Sequence, residues 1–221
     1  MKIKAALFLL LISWFNVSWA EYASLSDLMQ KADSGDAVAQ RDLGLVYVEI
    51  EDFENALKWL RMAVNEGDGI AQYNLARLYH FAQGVDKNVQ QAIHYYELSA
   101  KQGNFKAINN IAYIYEHGDS VNQNFKKATS LYRKSALLGN SHAQYNLAQM
   151  HFRYGEKVNI SFKEAWTWIV ISAKNGHPQS LDAKKKIEPD LPKDKLAEFK
   201  AMEKQFEAEI QKNALSKNLK F

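Results

Sequence analysis

Apolar and polar positions along the chain keep a helical rhythm, and the rhythm itself recurs. Ala71, Leu75, Leu78 and Tyr79 fall at i, i+4, i+7 and i+8, one apolar face at the 3.6-residue period. Ala92, Tyr95, Tyr96, Ser99 and Ala100 follow in the same rhythm, so the stretch predicts two amphipathic helices joined by a loop. One phrase then appears four times: AQRDLG at 39–44, AQYNLA at 71–76, AINNIA at 107–112 and AQYNLA at 143–148. Three residues after each stand Tyr47, Tyr79, Tyr115 and His151. A second phrase follows in each unit: ALKWL from Ala56, AIHYY from Ala92, ATSLY from Ala128 and AWTWI from Ala165. Gly35, Gly67, Gly103, Gly139 and Gly176 punctuate the series at intervals of 32, 36, 36 and 37 residues. Each follows a helical run, where a C′ glycine in the left-handed conformation is expected.

This pattern predicts an all-α fold: a right-handed α–α superhelix, or solenoid, of four helix–turn–helix repeats with helical caps at both ends. The repeats run 35–66, 67–102, 103–138 and 139–175, within a repeat region of 35–176. Residues 21–34 form a leading cap and 177–221 a trailing one. The recurrent alanines let helix axes approach to about 8–10 Å, with the aromatics Trp59, Tyr95, Tyr96, Tyr132, Trp166 and Trp168 filling the core beside them. Asn88 with Gln91, and Ser161 with Glu164, read as capping boxes that open second helices. Ser24 is expected to open a short leading helix over 25–32. Pro178 starts a brief helix, and Pro189 and Pro192 break the chain after it. Leu196, Phe199, Met202, Phe206 and Ile210 then form an apolar stripe suited to cover the last repeat, with fraying after Asn213.

The first twenty residues have a different grammar. Lys2 and Lys4 precede an apolar run from Ala5 to Phe15, and the small residues Ser18 and Ala20 stand before Glu21. That is the layout of a secretory signal peptide cut after Ala20, and it predicts a periplasmic or secreted product. The run is well short of the ~20 residues that span a bilayer, so no stable membrane anchor is expected after cleavage.

Charge and residue usage then narrow the chemistry. Lys and Arg number 28 against 25 Asp and Glu, a net +3, too little for a nucleic-acid partner. The chain has 0 cysteines, which excludes disulfides, thiolate metal sites, Cys nucleophiles and a lipid-anchored N-terminal Cys. His80, His94, His117, His142, His151 and His177 form no short ligand cluster, and capping or packing is expected of each; no metal or cofactor is predicted. No serine is followed three residues later by lysine, and there is no Gly-x-Ser-x-Gly or phosphate-cradling loop. Carboxylates such as Glu97 and Glu116 are scattered. No catalytic residue is assigned, and the chain reads as a non-enzyme. The lysines at 184–186 read as a solvated helix face.

Residues 35–176 resemble four Sel-1-like repeats, relatives of the tetratricopeptide repeat. The resemblance rests on the A-x-x-x-L-G-x-x-Y phrase, a Gly-rich loop ending in Val, and the K-A-x-x-W-Y-x-x-A-A-x-x-G second half. Unit two keeps Gly84 and Val85 but has Ala82 at the first loop glycine; unit three keeps Gly118 and Val121 but has Ser120 at the second. Unit one is four residues shorter in its loop, and unit four has His151 for Tyr. The resemblance implies a scaffold that binds another protein or an extended peptide, in the secreted bacterial type an adaptor or regulator of an envelope complex. It also leaves an immunity protein against a secreted toxin as an alternative. A cell-wall or β-lactam-directed hydrolase is a further one, although the Ser-x-x-Lys and disulfides of such relatives are missing.

In such an array the first helices line the concave side. One polar position recurs there: Asp42, Asn74, Asn110 and Asn146. A ladder of amides can hold an extended peptide by its backbone. Arg41, Tyr73, Arg77, Asn109, Tyr113, Tyr145 and Gln149 flank it, with Leu45, and those one turn apart share a face. The alternative is structural: an Asn at a fixed repeat position bonds neighbouring backbone and sets the stacking.

Overall fold

The computed structural model describes residues 19–216, with side chains from Ser24 onward. The segment expected to be a signal peptide, apart from its last two residues, and the segment 217–221 lie outside the described residues. Eleven α-helices and no strand occur among the described residues. They are α1 (Trp19–Asp33), α2 (Ala37–Glu49), α3 (Phe53–Asn65), α4 (Gly69–Phe81), α5 (Val89–Lys101), α6 (Phe105–His117), α7 (Phe125–Ala136), α8 (Ser141–Tyr154), α9 (Phe162–Lys174), α10 (Pro178–Ile187) and α11 (Leu196–Ser216). The even-numbered members from α2 to α8 are first, or A, helices; α3, α5, α7 and α9 are second, or B, helices. The fold class is the expected all-α solenoid of helix–turn–helix repeats.

Local chemistry sets the boundaries. The five spaced glycines close their helices at φ between 79° and 96°, which a side chain rarely adopts. The residue after each of the first four is an N-cap. Asp36 and Asp68 accept from Ala39 N and Ala71 N at 2.8 and 2.7 Å, and Asn104 and Asn140 from Ala107 N and Ala143 N, each at 3.3 Å. A cap of this kind contributes about 1 kcal/mol to its helix. B helices start on Asp52, Asn88, Asn124 and Ser161. The two capping boxes are made by half. Asn88 and Ser161 cap Gln91 N and Glu164 N, but the Glu164 carboxylate is drawn to the Arg133 guanidinium at 2.6 Å instead of returning to its cap.

The chain divides into two compact units, residues 1–95 and 96–221. In the first, α2 packs on α1 and α3, and α3 packs on α4. Leu43, Tyr47, Trp59, Leu60, Leu75 and Leu78 fill the core. The α2–α3 crossing is tight: a Cβ at Gly44 would stand 2.8 Å from Leu60 Cγ. In the second, α6 pairs with α7 and α8 with α9, while α10 and α11 both pack on α9. Tyr132, Leu147, Met150, Trp168 and Ile169 are fully buried there.

Both ends depart from expectation in detail. Among the described residues the leading helix runs Trp19–Asp33, so Ser24 lies inside it; nothing from 19 to 23 is a Gly or Pro that would stop it. The trailing stripe does cover the last repeat, with Phe206 stacked on Trp168 at 4.5 Å. Its helix does not fray at Asn213 but continues to Ser216, because Asn213 Nδ2 donates to Leu137 O at 3.1 Å and Ala214 is buried.

Candidate functional site

The recurrent polar row lies on the A helices, and each unit handles it differently. In the first unit, Asp42 accepts from Arg41 Nε at 2.8 Å, and the same guanidinium reaches Asp68, the cap of α4, at 3.2 Å. Asn74 is 9% exposed and donates back to Ile70 O at 2.9 Å, one turn earlier in its own helix. Tyr73 and Arg77 are half-buried beside it. These polar groups are largely engaged within the fold.

In the second unit the row spans two A helices. Asn146 Nδ2 on α8 donates to Asn109 Oδ1 on α6 at 3.2 Å, and Asn109 Nδ2 approaches Asn110 Oδ1 at 3.5 Å. The chain of amides leaves Asn110 Nδ2 and Asn146 Oδ1 without a hydrogen bond among the described residues, and both side chains are half-buried. Tyr113 is 43% exposed, its ring stacked on His117 at 4.0 Å. Gln149 and Tyr145 are half-buried on α8, with Tyr145 stacked on His177 at 4.6 Å. A donor, an acceptor and an exposed aromatic ring on neighbouring A helices are what an extended backbone needs for grip.

Sequence reasoning missed the most connected polar group. Glu116, one of the scattered carboxylates of the sequence, is 1% exposed at the end of α6. It accepts from the Tyr132 hydroxyl at 2.7 Å, from Arg153 Nη1 at 3.1 Å and from the Tyr154 hydroxyl at 3.3 Å. Burial, then the adjacent carboxylate, pushes both tyrosine hydroxyls above their ordinary range. Three donors on one buried carboxylate tie α6, α7 and α8 together. Its partners lie 16 to 38 residues away, beyond the reach of a local motif.

Three of the histidines are engaged within the fold. His117 Nδ1 meets Tyr113 O at 3.0 Å, and His151 Nδ1 meets Ile160 O at 2.7 Å. His177 is buried at the start of α10, where desolvation and nearby His142 lower its pKa below the ordinary histidine value. No group of three or more His, Asp or Glu among the described residues could hold a metal ion. No helix among them is long and apolar enough to cross a membrane.

Comparison with known proteins adds a family. The Sel1 repeat model matches residues 37–68, 69–104, 105–140 and 141–177. No curated protein matches the sequence. Among solved structures, the chain is similar to a Sel1 repeat protein from Oxalobacter formigenes, at 25% identity and a TM-score of 0.70, over 83% of this chain and 78% of that one. It is also similar in fold to c5321, a protective antigen of uropathogenic Escherichia coli strains with an SLR fold. That likeness is at 24% identity and a TM-score of 0.50, over 90% of this chain and 51% of that one.

Proposed function

We propose, from the premise that this chain belongs to the Sel1 repeat family, that it is a non-catalytic adaptor or regulator of an envelope complex, gripping an extended segment on its A-helix face. Sel1 repeats generally serve as protein–protein interaction scaffolds and are typically non-catalytic. The observation that carries the finer reading is the unsatisfied amide pair, Asn110 Nδ2 and Asn146 Oδ1, beside exposed Tyr113. In the first unit the row is engaged by Arg41 and by Ile70 O, so contact centres on the second. Location in the periplasm or outside the cell rests on Lys2, Lys4 and the apolar run before Ala20. The N-terminal sequence of the exported chain checks it, and a start other than Glu21 contradicts the cut.

The test of function is capture from the host's envelope fraction by the native chain and by an Asn110→Ala, Tyr113→Ala, Gln149→Ala variant, its fold verified by circular dichroism. Asn146 is left in place because it holds α8 to α6. A protein retained by the native chain and lost from the folded variant supports the reading. Equal retention by both removes the A-helix face as the site.

A further inference from the structure

The B helix α7 departs from its counterparts in charge. Each of α3, α5 and α9 carries a carboxylate, Glu54, Glu97 and Glu164. Helix α7 carries Lys126, Lys127, Arg133 and Lys134 and no carboxylate. Packing does not call for this: α7 buries Ala128, Thr129, Tyr132, Ser135 and Ala136, and its cations sit outside that face. Clefts flank the helix on both sides. One, of about 230 Å³, is floored by Ile108, Ile111 and Leu131 and edged by Lys101, Lys127 and Lys134. The other, of about 470 Å³, sets Lys126, Arg133 and Lys157 around Phe125 and Val158. A third runs over Lys126, Lys127, Ser130 and Leu131 and shares residues with both. Each flanking cleft has a single acidic lining residue, Glu97 in one and Glu156 in the other.

Most of these cations have no internal partner. Arg133 is held by Glu164 and Lys127 donates to the Tyr115 hydroxyl, but Lys101, Lys126, Lys134 and Lys157 make no ion pair among the described residues. Like charges gathered around an apolar floor repel one another until an anion is brought among them. Ile108 and Ile111 are only 2% and 4% exposed, recessed where a single side chain reaches and a flat bilayer surface does not. No aromatic ring lines the first cleft to stack a nucleobase, and Phe125 in the second packs on Tyr154 at 4.3 Å. We propose that the clefted basic face of α7 is a second docking surface, distinct from the A-helix row, for an acidic linear segment of another protein whose carboxylates alternate with apolar side chains. The carboxylates meet the lysines, and an apolar side chain enters between Ile108, Ile111 and Leu131.

The test is fluorescence anisotropy on the full chain. The probe is a fluorescein-labelled peptide of alternating Glu and Leu, and its Gln–Leu analogue serves as control. The Glu peptide binds and weakens with added salt, while the Gln analogue does not bind. A Lys126→Glu, Lys134→Glu variant lowers affinity at least about tenfold, since charge reversal at a docking surface opposes each carboxylate it met. Leu131→Gln weakens binding without changing net charge. Lys185→Glu with Lys186→Glu, on exposed α10, changes net charge equally and alters affinity by less than about threefold. Circular dichroism confirms that every variant is folded. Equal losses in the α7 and α10 variants overturn the proposal, as does absence of binding to the Glu peptide. So does binding to anionic phosphatidylglycerol vesicles that the Glu peptide fails to displace. A self-associated form lost in the α7 variant, with no peptide binding, overturns it in favour of a second copy of this chain.

Discussion

The two units solve the same junction with different chemistry. In the first, the A helices are capped by Asp36 and Asp68, and five residues before these stand Lys31 and Ala63. In the second, the caps are Asn104 and Asn140, and the same offset holds Ser99 and Ser135. A carboxylate only accepts, so a hydroxyl behind it has no donor to receive. An amide also donates: Asn104 Nδ2 reaches Ser99 Oγ at 3.0 Å and Asn140 Nδ2 reaches Ser135 Oγ at 3.1 Å. Ser135 Oγ in turn donates to Phe105 O at 2.7 Å, and Ser172 repeats that step to Ser141 O at 2.8 Å. The buried glutamines differ in the same sense. Gln144 donates to Ala136 O and accepts from Asn175, whereas Gln40 donates to Ala32 O and its Oε1 has no partner among the described residues. Cap and relay change together, so a repeat position specifies a hydrogen-bonding circuit more than a residue type.

Breaking the second unit's own hub carries the largest expected effect. Glu116→Ala leaves the Tyr132 hydroxyl buried without its acceptor and is expected to destabilise by about 3 kcal/mol. Hydrogen exchange then rises over 105–154 and not over 37–81; an equal rise in both contradicts a separately stabilised second unit. Swapping the caps tests the circuit directly. Asn140→Asp removes the donor to Ser135 and sets a carboxylate near Phe105 O, costing about 2 kcal/mol. Asp68→Asn keeps a capping oxygen and loses only part of the Arg41 pairing, costing under about 1 kcal/mol. Equal urea midpoints for the two variants would sink the distinction.

Two smaller effects sharpen the comparison. Ala82 in the first unit and Ser120 in the second take φ of 56° and 53°, where a Cβ is strained. Ala82→Gly and Ser120→Gly are each expected to stabilise by about 1 kcal/mol, read from thermal melts, so here the units agree. The smallest effect is pH-dependent and belongs to the second unit. With the folded pKa of His177 depressed, the unfolded chain binds its proton first as pH falls below about 6.5. Stability from this group is therefore full above that pH and declines below it. His177→Asn flattens that slope in urea titrations between neutral and mildly acidic pH; an unchanged slope removes His177 as its source.

What was legible in the sequence followed from periodicity. The Leu, Ala and Tyr of the repeated phrase, and the closing glycines, are local signals that each helix needs for its own reasons. The caps at Asp36, Asp68, Asn104 and Asn140 were equally local but lay hidden behind the glycines that precede them. The circuits were not legible, because Ser135 meets Phe105 O and Glu116 meets Arg153 and Tyr154 only once neighbouring helices stack. The polar row was visible as a recurrence, but recurrence does not tell an amide turned to its own helix, as Asn74 is, from one left open, as Asn110 is.

The central claim is that the second unit's A-helix row contacts a partner while the first unit's row serves the fold. Site-specific photo-crosslinking in the host envelope tests it most directly, with the photoreactive residue at Tyr113 or at Arg77, its counterpart one repeat earlier. A discrete adduct from Tyr113 and none from Arg77 is the predicted result. An adduct from Arg77 alone, or none from either, would contradict the claim.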